Sequence, residues 1–132
     1  SPIASVDDLP MMDGGVADSI PLLRARELGY NNNVVVLTRN KGYRKPDKKT
    51  MVPFFMYRKY PALREAIRNR NEMYNRQIAL VEELEDAGKV TVVRPESPII
   101  VGRMERDTSK LLDLYNEGYK CAANITFEIN NI

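Results

Sequence analysis

Histidine is absent from this chain of 132 residues, tryptophan is absent, and cysteine occurs once. Each absence removes a class of chemistry. Without histidine, no Ser-His-Asp or Cys-His catalysis can run within these residues, and imidazole-ligated zinc is excluded. The single cysteine, Cys121, permits neither an internal disulfide nor a thiolate metal site, and its isolation fits a reducing compartment. No metal or cofactor is expected. In a helical stretch with no histidine beside it, Cys121 reads as a buried bystander rather than a nucleophile. No apolar run approaches the roughly 20 residues that a membrane-spanning helix needs. The first residues lack the basic-then-apolar pattern of a targeting signal. A cytoplasmic protein is therefore expected, and any catalysis must come from carboxylates, lysine, tyrosine or backbone groups.

What is present suits one ordinary globular domain or a fragment of one. Hydrophobic residues make up 43% of the chain and charged residues 29%, enough for a core and a solvated surface. The net charge of +2 hides an uneven distribution. Residues 1–38 carry 2 basic and 5 acidic side chains, residues 39–70 carry 11 and 2, and residues 71–132 carry 7 and 11. The basic block 39–70 has three readings. A solvated surface is the default for a charge run. Contact with an anionic membrane surface is the second, which would make the protein peripheral to the inner membrane surface. Nucleic-acid binding is the third: Tyr43, Tyr57 and Tyr60 interleave with the cations, but no nucleic-acid motif accompanies them, and this reading is disfavoured.

The pattern along the chain predicts an α/β fold. Residues 1–6 read as extended, Asp7-Asp8 as a turn, and Leu9 to Met12 as an apolar run. A chain that begins mid-strand suggests a fragment. Asp18 or Ser19 can cap a helix with Pro21 in its first turn and Gly29 as its stop. Val34-Val35-Val36-Leu37-Thr38 has no polar alternation, the mark of a strand buried on both faces in a parallel sheet. Strand, helix and strand at this spacing predict a βαβ unit. Residues 39–49 read as a basic loop and residues 51–56 as a short helix or packed turn. Pro61 opens the longest helix, to about residue 87, with Leu63, Ala66, Ile67, Tyr74, Ile78, Val81 and Leu84 on one face and Gly88 as its stop. Residues 90–93 form a second buried strand. A last helix over 107–122, capped by Asp107 or Thr108, should bury Leu111, Leu112, Tyr115 and Tyr119. Phe127 and Ile129 add a final short extended segment.

Asp13-Gly14-Gly15 is the leading candidate for chemistry, although composition alone favours a turn-former. It places a carboxylate on a two-glycine turn, after an apolar run and before a helix start. In an α/β fold that is where a functional crevice opens. Glycines allow the tight backbone path, and a carboxylate there can serve as general base toward a hydroxyl nucleophile. A turn-former is the competing reading of Asp13. Asp18 reads as a helix cap, and Ser19 as a backbone-bonded hydroxyl rather than a nucleophile.

Asp13-Gly14-Gly15-Val16-Ala17-Asp18-Ser19-Ile20-Pro21 resembles the aspartate motif of patatin-like phospholipases. Further segments resemble a bacterial branch of that family: Val34 to Arg39, Lys41-Gly42-Tyr43-Arg44-Lys45, Tyr57-Arg58-Lys59-Tyr60-Pro61, Met73-Tyr74-Asn75-Arg76-Gln77, and Arg94-Pro95 with Glu96 and Pro98. The resemblance covers roughly residues 9 to 120, with a family-specific region from about 40 to 132. It implies the C-terminal part of a three-layer fold with a mostly parallel sheet and a long outer helix. It also implies a Ser-Asp dyad acting on lipid acyl esters, with Asp13 as the dyad aspartate and Gly14 and Gly15 shaping its turn. The family's Gly-x-Ser-x-Gly elbow and glycine-rich oxyanion loop are not in these residues. None of Ser1, Ser5, Ser19, Ser97 and Ser109 stands in such a motif. The chain by itself is therefore expected to be inactive, and self-association of the fragment is a further expectation. The alternative is a non-catalytic interaction or membrane-docking domain in which Asp13 only shapes a turn.

Overall fold

Apolar residues recurring at helical spacing between Pro61 and Leu84 fix the dominant element. In the computed structural model, which describes residues 3–102, 104–123 and 125, this helix (α2) runs over Pro61–Asp86. Ile78 and Val81 on its apolar face are buried, and Leu63, Ala66, Ile67, Tyr74 and Leu84 are half-buried. Gly88 follows at φ +66°, the left-handed position that glycine tolerates at a helix end. The remaining elements are strands β1 (Ala4–Val6) and β2 (Leu9–Met11), a 3-10 turn (Gly14–Val16), helix α1 (Leu22–Glu27), strands β3 (Val34–Val36) and β4 (Thr91–Val93), and helix α3 (Thr108–Ala123). The chain is mixed α/β, with one antiparallel and one parallel pair of strands.

It divides into two units. The first comprises Ser1–Gly29 and Arg44–Leu80, the second Tyr30–Tyr43 and Val81–Ile132. In the first unit, β1 and β2 form an antiparallel hairpin that pairs Val6 with Leu9. Asp7 and Asp8 both have positive φ, 48° and 63°, as a two-residue hairpin turn of primed type requires. Aspartate accepts this conformation better than most residues. The βαβ unit expected over residues 9–38 does not form, because β2 hydrogen-bonds to β1 rather than to a parallel neighbour. Among the described residues, the buried apolar side chains of this unit are Val16, Leu22 and Ile78.

Asparagines of α2 strap the preceding basic segment to the helix. Asn75 accepts from the Lys45 N–H at 2.8 Å through Oδ1 and donates to the Lys45 carbonyl at 3.0 Å through Nδ2. Asn71 Nδ2 donates to the carbonyls of Pro46 and Lys48. The Lys45 ammonium lies 3.9 Å from the centroid of the Tyr74 ring. Residues 54–59 are a run of turns, so the packed short element expected over 51–56 is a turn without burial: Met51, Phe54, Phe55 and Met56 are all exposed.

In the second unit, β3 and β4 pair in parallel, Val34 with Thr91, Val35 with Val92 and Val36 with Val93. A parallel pair is in line with the sequence expectation, but the mostly parallel sheet is not found: the described strands form two separate two-stranded sheets, one of them antiparallel, and burial on both faces does not hold either. Val35, Leu37, Val90 and Val93 are buried, whereas Val34 and Val36 are exposed. Successive side chains of a strand point to opposite faces, and among the described residues only one face of β3 is covered. At the C-terminal end of α2, Arg94 is nearly enclosed between Glu82 and Glu85, with a 3.9 Å approach to Glu82 and a direct hydrogen bond to Glu85. Burial lowers the Arg94 pKa from the usual arginine value, and the Glu82 carboxylate opposes that shift. Lys41 pairs with Asp86 at 2.8 Å, and the Gly42 N–H donates to Glu82 at 2.9 Å. The loop after β3 is thereby tied to the same acidic helix end.

Helix α3 begins as expected, with Asp107 accepting from the N–H groups of Ser109 and Lys110. Its expected core face is not buried: Leu111, Leu112, Tyr115 and Tyr119 are all exposed, and no residue of the helix is buried. Cys121 is half-buried rather than enclosed. The segment expected around Phe127 and Ile129 lies outside the described residues. No helix among the described residues is long and apolar enough to cross a membrane.

Candidate functional site

The glycine turn after β2 is built around the Asp13 side chain. Asp13 sits at the N-terminal end of the 3-10 turn with φ −46° and ψ 119°, and its Oδ1 accepts the Gly15 N–H at 2.8 Å. The backbone then closes on itself. Val16 N–H donates to the Asp13 carbonyl at 3.1 Å, and the N–H groups of Ala17 and Asp18 donate to the Gly14 carbonyl at 3.0 and 2.8 Å. Val16 buries its side chain beneath the turn, while Asp13 and Gly14 are exposed. Gly15 is closely approached: a Cβ there would stand 3.2 Å from Asp13 Oδ1, a tight contact, and 3.9 Å from an Arg70 guanidinium nitrogen, an ordinary one. A side chain at position 15 would press on the carboxylate that the turn presents. Gly14 has open space at the same position.

The two polar residues after the turn do not cap α1. Pro21 occupies the cap position and no side chain bonds there. Ser19 Oγ instead donates to the Gly15 carbonyl at 2.8 Å. Asp18 accepts a short hydrogen bond from the Gln77 side-chain amide on α2. The same amide's oxygen accepts the Ile20 N–H at 3.1 Å. Gln77 thus grips both a carboxylate and a backbone donor, and holds the Asp13 turn at its C-terminal side. Local sequence carries no sign of this clamp, since Gln77 is remote in the chain and reads only as a polar position of a long helix. Gln77→Ala is expected to destabilise the first unit by about 1–3 kcal/mol, because a half-buried donor and acceptor lose their partner. Urea denaturation followed by circular dichroism measures it.

An open cleft of about 450 Å³ lies beside the turn, lined by Ala17, Asp18, Ile20, Leu23, Gln77 and Leu80 among others; Asp13 is not among its lining residues. Among the described residues no serine donates to Asp13, and no group of three acidic or cysteine side chains could hold a metal ion. The arrangement offers one chemical asset. It is an exposed carboxylate with one oxygen fixed by a backbone amide and the other available to a donor from outside these residues.

The family described as "Domain of unknown function (DUF6363)" matches residues 60–132, which take in α2, β4 and α3 but not the Asp13 turn. No curated protein and no solved structure matches the chain.

Proposed function

Because the chain belongs to the DUF6363 family, whose description states no activity, we propose its function from its own residues: it is part of a serine acyl hydrolase, with Asp13 as the base of a Ser-Asp dyad. The observation that carries this reading is the exposed Asp13 carboxylate, oriented through Oδ1 by the Gly15 N–H on a turn where a side chain at position 15 would press on that same oxygen. In the reaction, Asp13 accepts the proton of a serine hydroxyl as the oxygen attacks the acyl carbon. It returns that proton to the departing alcohol, then activates water to release the acid. The serine and the oxyanion donors come from residues other than these, so the isolated chain is inactive. On the same reading, β3, β4 and α2 belong to the C-terminal part of a patatin-like three-layer fold, the substrates are lipid acyl esters, and the protein is cytoplasmic.

One observation favours a second reading. Asp13 caps the 3-10 turn, which is sufficient reason for an aspartate at that position. The two readings separate in a complementation assay. The chain is co-expressed with the protein sequence that precedes it, and hydrolysis of a short-chain ester is measured for the parent, Asp13→Asn and Asp13→Ala. Asparagine keeps an oxygen for the Gly15 N–H but cannot take a proton. Loss of activity with Asp13→Asn while the fold persists supports the dyad, whereas full activity leaves Asp13 a turn-former. A preceding sequence without Gly-x-Ser-x-Gly removes the hydrolase reading before any assay.

A further inference from the structure

The first unit exposes a group of large apolar side chains that its own fold does not use. Met51 is 90% exposed, Phe54 78% and Phe55 79%. They lie within the stretch of highest positive charge, with Lys48 and Lys49 before them, Arg58 and Lys59 after them, and no acidic residue between Asp47 and Glu65. All four cations are exposed. The turn that carries the aromatics is fixed in place. One guanidinium nitrogen of Arg64, on α2, donates to the carbonyls of Pro53 at 2.8 Å, Phe54 at 3.0 Å and Met56. Tyr57 closes the turn at φ 53°. A loop exposed by chance has no need of three carbonyls gathered on one side chain.

We propose that this turn docks the protein on an anionic lipid surface, with Met51, Phe54 and Phe55 entering the interface and Lys48, Lys49, Arg58 and Lys59 contacting phosphate-bearing headgroups. Aromatic side chains favour the headgroup level of a bilayer. An apolar insertion flanked by cations combines the two contributions that make interfacial binding firm. Charge complementarity selects the partner: Lys48, Lys49, Arg58 and Lys59 flank the apolar side chains with no acidic residue between Asp47 and Glu65, which suits a surface of negative charge. Phe54 and Phe55 could also stack on bases, but no nucleic-acid-binding motif accompanies them, and the apolar tips flanked by cations favour a lipid interface. A hollow of about 550 Å³ lined by residues 54, 55 and 57–60 adjoins the tips and brings Arg58 and Lys59 beside the two phenylalanines. This docking requires nothing of Asp13, so it stands or falls separately from the hydrolase reading.

The test is cosedimentation of the 132-residue chain with phosphatidylcholine vesicles, with and without phosphatidylserine, at low and physiological salt. Binding is expected to need phosphatidylserine and to weaken with salt. Phe54→Ser/Phe55→Ser is expected to lower vesicle partitioning at least about tenfold at unchanged helix content, and Arg58→Gln/Lys59→Gln to lower it by a similar factor and flatten the salt dependence. Three results each overturn the proposal: retention unaffected by the phenylalanine substitutions, equal affinity for single-stranded DNA, or sedimentation without vesicles, which marks self-association through the same patch.

Discussion

On the Ser-Asp dyad proposed for Asp13, Asp13→Asn is expected to reduce ester hydrolysis by the reconstituted protein about 10²- to 10⁴-fold, the range that a positioned general base contributes. The geometry makes this substitution unusually clean. The asparagine would retain an oxygen to receive the Gly15 N–H, now 2.8 Å from Asp13 Oδ1, so the 3-10 turn keeps its shape. What disappears is the negative charge and, with it, the capacity to accept a proton. The loss should therefore fall mainly on kcat, with little change in KM, since an interaction made in the transition state is being removed. Asp13→Ala removes the cap as well. It is expected to add about 1 kcal/mol of destabilisation, the usual cost of losing a side-chain cap. If both variants matched the parent in stability and activity, the carboxylate would do neither job.

The second large effect lies in the core of the other unit. Val81 is the one side chain fully shielded from water among the described residues, at 0% exposure. Val81→Asp is expected to abolish the cooperative unfolding transition of the second unit. An ionised carboxylate there has no partner, and burying an unpaired charge costs several kcal/mol, comparable with the roughly 5–15 kcal/mol that holds a typical domain together. Val81→Ala is the graded companion. Removing two methyl groups is expected to cost about 2 kcal/mol in transfer and cavity terms, leaving a cooperative transition at lower denaturant. Tyr119→Ser, by contrast, is expected to stay within about 0.5 kcal/mol of the parent, since Tyr119 is exposed on α3. Urea titrations of the three variants rank them, and a costly Tyr119→Ser would mean that the α3 face is covered in solution.

That contrast shows where sequence reasoning succeeds and where it stops. Helix α2 is legible almost to the residue, because Pro61, Gly88 and a sustained apolar stripe specify start, stop and face together. Two valine-rich strands of parallel type are legible from composition, though not that they pair with each other, and the Asp107 cap of α3 is legible too. The apolar stripe of α3 reads correctly as a face but wrongly as a buried one. Periodicity says which side chains share a face, and nothing in it says whether anything covers that face. The same limit explains Val34 and Val36. At the candidate site, the Asp13 turn is legible because Asp-Gly-Gly is a local instruction. The Gln77 clamp is not, because its partners Asp18 and Ile20 are distant in sequence and meet it only after α2 has formed. The helix-cap reading of Asp18 and Ser19 fails for a related reason: with Pro21 at the helix start, the Ser19 hydroxyl bonds the preceding turn's backbone and Asp18 bonds α2 instead.

The register of β3 on β4 also governs how the chain must find its structure. Val34 pairs with Thr91, and the whole segment Arg44–Leu80, which belongs to the other unit, lies between them in the chain. Closing so long a loop before any strand contact forms is entropically costly, and parallel pairing rewards it late. Helix α2 forms from local contacts and shortens the path to be closed, so it is the natural early event and the strand pair the slow one. Weakening α2 at its exposed positions, with glycine for instance, should then retard refolding more than it accelerates unfolding.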